Sequence, residues 1–330
     1  MKIIRVGDPH TKVSNLKDSQ KLMDYVYALA KEHKVDRIEF MGDQFDTHAV
    51  IRIEVQDFWS ENIKKFSELC RVLFLLGNHD MQGSKEKSNM NAMGPFSEWT
   101  GLTNRIWVAD KDMILDGIGY ISYKHTEEDF IDSAKKLYES GCTELIIAHQ
   151  PFTGAQYENG FYDPYGIDPD KIPQKSIISG HIHKKQQVGK CFYVGTAKWD
   201  TISDANEEKG VHIFKHNEDG SVSSVEFFST KEIVSPIYKF TVNEGDEEPT
   251  LVPEARNYLE LCGQAAWITK LKKKYKGLAQ IKARPTDRRS AKTDKSNLQS
   301  VHDFLNNCFN PTNNVSKADI ETYLRTLNES

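Results

Sequence analysis

Arg71-Val72-Leu73-Phe74-Leu75-Leu76-Gly77-Asn78-His79-Asp80 decides the fold class. An apolar run of strand length breaks at a glycine, and an amide, an imidazole and a carboxylate follow at once. The same grammar recurs on both sides of it. Residues 2–6 lead into Gly7-Asp8-Pro9-His10, residues 37–41 into Gly42-Asp43-Gln44-Phe45-Asp46, residues 143–148 into His149, and residues 176–179 into Gly180-His181-Ile182-His183. Residues 191–194 read as a further strand. Helical patterns lie between the early strands. Over 19–32, Leu22, Met23, Val26, Leu29 and Ala30 share one face, and over 53–69, Val55, Phe58, Trp59, Ile63, Phe66 and Leu69 do the same. Strand-helix alternation of this kind predicts an α/β fold. A hairpin over 210–215 and 221–229, turning at Asn217-Glu218-Asp219-Gly220, predicts a second sheet.

The 330 residues are 38% hydrophobic and 28% charged, which suits one large globular domain or two smaller ones and excludes a disordered or fibrous chain. No apolar run approaches the roughly 20 residues that cross a bilayer. The first residues enter a strand pattern without the charged, apolar and small-residue regions of a secretory signal, so a cytoplasmic location is expected. Five cysteines, odd in number and without a C-x-x-C pair, argue against a disulfide framework or a zinc ribbon.

A net charge of −5 argues at first against nucleic acid. Its distribution reverses the argument, because residues 270–295 hold eleven basic residues against Asp287 and Asp294, a local +9. Within that stretch Lys270, Lys272, Lys273, Lys274 and Lys276 sit on or beside one short helix and are the candidate phosphate contacts. Pro236, the acidic residues 244–248, Pro249 and Pro253 mark a boundary near 230–236. Beyond it strands are expected at 237–242, 257–261 and 279–283 with a helix at 264–275, then a basic tether over 286–296. Amphipathic helices at 298–308 and 317–327 complete the chain. Residues 151–174 form a long loop carrying Phe152, Tyr157, Phe161, Tyr162 and Tyr165, a stacking surface for bases or a self-packed loop.

Five strands therefore deliver Asp8, His10, Asp43, Asn78, His79, Asp80, His149, His181 and His183 at their carboxyl ends, where open α/β sheets bind ligands. Four imidazoles with two carboxylates exceed the ligand count of one tetrahedral zinc, which implies two metal ions. A mixed nitrogen and oxygen set without thiolate suits manganese, iron or zinc. Two such ions can activate water and neutralise the oxygens of an in-line phosphoryl displacement, so phosphoester hydrolysis is the implied reaction. Asp46 and His48 follow the Asp43 loop and either reach substrate or lie in solvent.

The ordered series Asp8-Pro9-His10, Gly42-Asp43-x-x-Asp46, Gly77-Asn78-His79-Asp80, His149 and Gly180-His181-Ile182-His183 resembles the calcineurin-like metallophosphoesterases over residues 1–229. Within that superfamily it is most similar to the SbcD and Mre-eleven DNA nucleases, including shorter phage-encoded subunits. Residues 193–199 and the Lys209-Gly210 strand support the likeness. The resemblance implies a two-sheet α/β/β/α sandwich over 1–229, a small α/β DNA-capping module over 236–285, and a tether and two-helix tail over 286–330. It implies that Asp8, His10, Asp43 and His183 hold one metal and that Asp43, Asn78, His149 and His181 hold the other. His79 would act on the scissile phosphate with Asp80 orienting it. The cofactors implied are two divalent ions, manganese with magnesium as the alternative. The function implied is that of an exonuclease or endonuclease subunit of an SbcCD-like complex. Its partners would be DNA and an SbcC-like coiled-coil ATPase docked on the tail, and its location the host cytoplasm if the chain is phage-encoded. Residues around Phe58 and Trp59 or Phe96 and Trp99 are candidates for a homodimer face, and core burial explains them as well. Asp46 stands where archaeal and eukaryotic relatives often carry histidine, so their strand selectivity does not transfer. The alternatives are a non-nuclease phosphoesterase of the same fold and a non-catalytic scaffold subunit of an ATPase complex.

Overall fold

A computed structural model describes residues 1–48, 50–82, 90–97, 99 and 105–286. The expected tail helices and the basic stretch from residue 287 lie outside the described residues. The described residues divide into two compact units, those of 1–240 with 250–258, and 241–249 with 259–286.

In the first unit the chain runs β1 (Lys2–Val6), α1 (Leu16–His33), β2 (Arg37–Phe40), α2 (Ile53–Leu69), β3 (Arg71–Leu75), α3 (Gly94–Ser97) and β4 (Ile106–Ala109). It continues through β5 (Met113–Leu115), β6 (Ile118–Ile121), α4 (Glu127–Glu139), β7 (Leu145–Ala148), β8 (Ser176–Ser179), β9 (Gln186–Val188) and β10 (Cys191–Tyr193), then closes the hairpin β11 (Gly210–His216) and β12 (Val222–Ser229). One six-stranded sheet has the order β12-β11-β1-β2-β3-β4, with β1 to β4 parallel and the hairpin antiparallel to β1. The other has the order β5-β6-β7-β8-β10-β9, parallel at its centre and antiparallel at both edges.

Alternation along the strands builds the layers. Ile4, Val6, Ile38, Phe40, Val72 and Phe74 face α1 and α2. Ile3, Leu73 and Leu75 face inward and meet Tyr120, Ile147 and Ile178 of the other sheet. Ile121, Ile146 and Ala148 turn outward under Phe130, Ala134 and Leu137 of α4. A strand covered on both sides buries both of its faces, so most of these strands read as apolar runs. Stacked this way, the helices and sheets form the α/β/β/α sandwich.

The inner layer departs from simple oil. Arg5, Arg37 and Glu39 all point into it and are fully buried. Glu39 accepts from Arg5 Nε and Arg37 Nε at 2.7 Å each, and from the Tyr120 hydroxyl of the opposite sheet at 2.5 Å. Arg37 donates in turn to Tyr120 Oη. Burial opposes the charge on Glu39, but the two guanidinium groups outweigh it and hold the carboxyl down to about 2.

Phe58, Trp59 and Phe96 are buried, and Trp99 packs against the same core. Of the two readings of these rings, core burial holds, because they fill the interior under the helices. The strands β4, β5, β6 and β9 and the helix α4 have no counterpart in the sequence reading. The strands are only three or four residues long, and α4 buries a narrow stripe on an otherwise charged helix.

The second unit holds α5 (Ala265–Lys274) and β15 (Gln280–Pro285), with β15 at one edge of a sheet ordered β13 (Ile237–Asn243), β14 (Arg256–Gly263), β15. Ile268 and Leu271 are the buried side of α5. Among the described residues, no helix is long and apolar enough to cross a membrane.

Candidate metal centre

Every functional side chain singled out follows a strand end by one to five residues. β1, β2 and β3 are neighbours in one sheet, β7 and β8 in the other, so the two sheets bring Asp8, His10, Asp43, Asn78, His79, His149, His181 and His183 to one edge.

The loops that turn these groups inward are strained. Asp8, His10, Asp43 and His181 have φ of 32°, 39°, 51° and 78°, in the left-handed region that disfavours side chains with a Cβ. Two glycines make the approach possible. A Cβ on Gly42, itself at φ 107°, would stand 2.2 Å from His149 Nδ1, and one on Gly77 would stand 2.1 Å from Asp43 Oδ1.

The donor atoms face each other. His10 Nε2 lies 3.0 Å from His183 Nε2 and 3.7 Å from Asp43 Oδ2. His149 Nδ1 donates to the Met41 carbonyl at 2.8 Å, and its Nε2 lies 3.3 Å from Asp43 Oδ2. His181 Nδ1 lies 3.0 Å from Asn78 Oδ1, and its backbone N–H donates to Asp8 Oδ2 at 2.8 Å. The sets Asp8, His10, His183 and Asp8, Asp43, His149 each gather ligand atoms within 4.8 Å, as does His10, Asp43, His79.

The electrostatics fit divalent cations. Asp8 Oδ1, His10 Nδ1 and His149 Nε2 are buried without a hydrogen-bond partner. Burial pushes His10 and His181 down to about 3, which keeps both rings neutral with lone pairs free to ligate. Burial also raises Asp8 to about 6. It opposes a charge on His149, but the Asp43 and Asp8 carboxylates prevail and raise that ring to about 10. The buried Asp8 and Asp43 carboxylates and the neutral His10 and His181 rings together favour positive charge, and metal ions meet that need with the donor types present.

His79 is half-buried and stands edge-on to His10, with ring centroids 4.9 Å apart. Its Nδ1 donates to the Asp46 carbonyl at 2.8 Å. The expectation that Asp80 orients His79 is corrected by this geometry. Asp80 is buried beneath the loop, where Oδ1 accepts from Phe45 N and Oδ2 from Gly77 N. Burial, with the nearby Asp43 charge, raises Asp80 to about 8. Its work is to tie two ligand loops together.

His48, left open between substrate and solvent in the sequence, stacks on His79 at 4.4 Å. Sequence reasoning missed other neighbours: Lys12 bridges Asp46 and Asp200 at 3.0 Å each. Asp204 and Glu158 approach His183 Nδ1 at 3.5 and 3.9 Å. Thr201-x-x-Asp204 is a capping pattern visible in sequence, but nothing in it announces a histidine partner. The lysines Lys270, Lys272, Lys273, Lys274 and Lys276 are all exposed in the second unit, Lys274 paired with Glu248.

The model of the calcineurin-like phosphoesterases matches residues 1–185. A protein of Invertebrate iridescent virus 6 named as a phosphoesterase, 244L, is 23% identical over 227 residues, 66% of this chain and 77% of that protein. Among solved structures, TT1561 of Thermus thermophilus has a TM-score of 0.43 at 10% identity, covering 70% of this chain and 99% of that one. GAP50 of Plasmodium, titled as an anchor in the inner membrane complex, has a TM-score of 0.40 at 12% identity, covering 71% and 85%. Likenesses of that size carry no argument about substrate. The family match, over more than half of the chain, shows the kinship: the protein belongs to the calcineurin-like phosphoesterase family, and its chemistry is that of a phosphoesterase hydrolase.

Proposed function

We propose that this phosphoesterase is a metal-dependent DNA nuclease, the nuclease subunit of an SbcCD-like complex. The observation that carries the step from phosphoester to nucleic acid is the loop between β7 and β8. Its interior is satisfied: Phe152, Ala155 and Ile167 are buried, and Asp163 accepts from the N–H groups of Tyr165 and Gly166 and from the Tyr157 hydroxyl. Phe161, Tyr162 and Tyr165 are left outside, 56%, 62% and 92% exposed, although the loop does not need them for packing. The same loop carries Glu158, 3.9 Å from His183. Aromatic rings beside a hydrolytic centre suit bases, which stack on any π face.

The ligands are assigned as Asp8, His10, Asp43 and His183 to one ion and Asp43, Asn78, His149 and His181 to the other, with manganese as the metal. When bound, the two ions supply an activated water and neutralise phosphate charge. Asp43 Oδ2 lies between imidazoles of the two sets, which suits a shared ligand. His79, held through Nδ1 by Asp46, keeps Nε2 for donation to the leaving oxygen. The exposed lysines of α5 are proposed to meet DNA phosphates, and the tail beyond residue 296 to dock the ATPase.

The test is manganese-dependent digestion of linear duplex and single-stranded DNA by wild type and His79→Ala. Cleavage by wild type with strong loss in the variant is the expected result. If neither cuts DNA, alone or with the ATPase, while a small phosphodiester is hydrolysed, the nuclease assignment is wrong.

A further inference from the structure

We infer that Asp204 is the positioning residue for His183, fixing which ring nitrogen of that histidine faces the metal centre. The inference rests on the metal reading above and concerns a residue outside the ligand set.

His183 Nε2 looks toward His10 Nε2, so Nδ1 is the nitrogen left on the far side of the ring. There it meets Asp204 Oδ1 at 3.5 Å. Asp204 is fully buried, and its two oxygens do different work. Oδ2 accepts from the backbone N–H groups of Asp200 and Thr201 at 3.1 and 2.9 Å, which closes the 3₁₀ turn Ile202–Asp204 and locks the carboxylate. Oδ1 takes no part in the turn. Lys209, itself buried, stands 2.8 Å from that oxygen and donates to the backbone carbonyl of His183 at 2.8 Å.

A cap would need only Oδ2. Oδ1 is left free of the turn and faces two donors, the Lys209 ammonium at 2.8 Å and the His183 Nδ1–H at 3.5 Å, and a carboxylate oxygen can accept from both. With the proton held on Nδ1, Nε2 presents a lone pair. Metal-ligating histidines are commonly held by a carboxylate in this way, and loss of the outer partner typically costs about 10- to 100-fold in metal affinity. Lys209 pairs with the carboxylate and ties it to the backbone of the histidine it serves.

The experiment uses the full chain. Nitrogen-15 NMR of histidine-labelled, metal-free protein, at a pH where the ring is neutral, reads the tautomer of His183 directly. The expected form carries its proton on Nδ1. Titration with Mn2+ then compares wild type with Asp204→Asn, which retains an oxygen for the turn and removes the charge facing the ring. Affinity for one Mn2+ equivalent should fall roughly 10- to 100-fold. A wild-type His183 protonated on Nε2 overturns the inference, and this readout stands even if the variant fails to fold. Two ions bound equally tightly by wild type and Asp204→Asn overturn it as well while leaving the metal reading intact. A wild-type chain that binds no Mn2+ overturns both.

Discussion

His10 Nε2 and His183 Nε2 stand 3.0 Å apart, brought together from opposite ends of the sandwich-forming sequence and from different sheets. Two ring nitrogens at that distance share one proton or face one cation. The neutral state of His10 and the unpartnered oxygen of Asp8 favour the cation. Mn2+ should therefore bind with two equivalents and raise the melting temperature, with about 2.7 kcal/mol of stabilisation at a hundredfold excess over its dissociation constant. Calorimetric titration with and without chelator checks this, and His10→Ala should lose one equivalent.

His79→Ala should lower kcat by about 10²- to 10⁴-fold, the usual range for a proton-transferring side chain. Metal stoichiometry should stay at two. A variant that also loses an ion would move His79 into the ligand set, which its place beside His10 and Asp43 makes a direct comparison.

Phe161, Tyr162 and Tyr165 should act on substrate binding alone. Replacing each with alanine should raise KM for single-stranded DNA by roughly 5- to 150-fold per stacked base, from about 1–3 kcal/mol each. Hydrolysis of a small phosphodiester and the melting temperature should not change, because the three rings are exposed. Equal losses on both substrates would count against a base platform.

The buried network predicts an acid limb of stability. Glu39 has its pKa lowered in the folded chain to about 2 from an ordinary 4.5. Its contribution is thus fully present above pH 4.5 and is lost as pH falls from there toward 2. The difference corresponds to roughly 3 kcal/mol, an order of magnitude for a strongly coupled buried group. Urea unfolding in steps from about pH 6 to about pH 2 measures it. Tyr120→Phe, which strips a hydroxyl from both Glu39 and Arg37, should cost about 1–3 kcal/mol at neutral pH.

Ending the chain at residue 296 should leave metal binding intact and abolish association with the ATPase. Co-purification of the two proteins decides it; a shortened chain that still binds refutes the docking role.

Much of the sandwich could be read in advance because its signals are local. The breaks at Gly42, Gly77 and Gly180 mark where strands end, and the first side chains past them are those gathered at the centre. What escaped reading depends on contacts distant in sequence. Glu39 sits in a four-residue strand with no sign that Arg5 and Tyr120 will meet it. Asp80 adjoins His79 in sequence, which invited a pairing, yet its side chain turns under the loop to two amides while a carbonyl three residues past Asp43 takes the imidazole. Asp204 looks like any turn residue until the fold sets it behind His183.

The centre's donors are divided by origin. The first sheet supplies both carboxylates, Asp8 and Asp43, and the second supplies His149, His181 and His183. Each proposed ion takes ligands from both. The spacing of the donors is consequently a gauge of how the two layers sit on each other. Leu73 and Ile147, deep between the sheets and remote from any substrate, act as shims, and a change in their bulk alters the chemistry at the edge without touching one ligand.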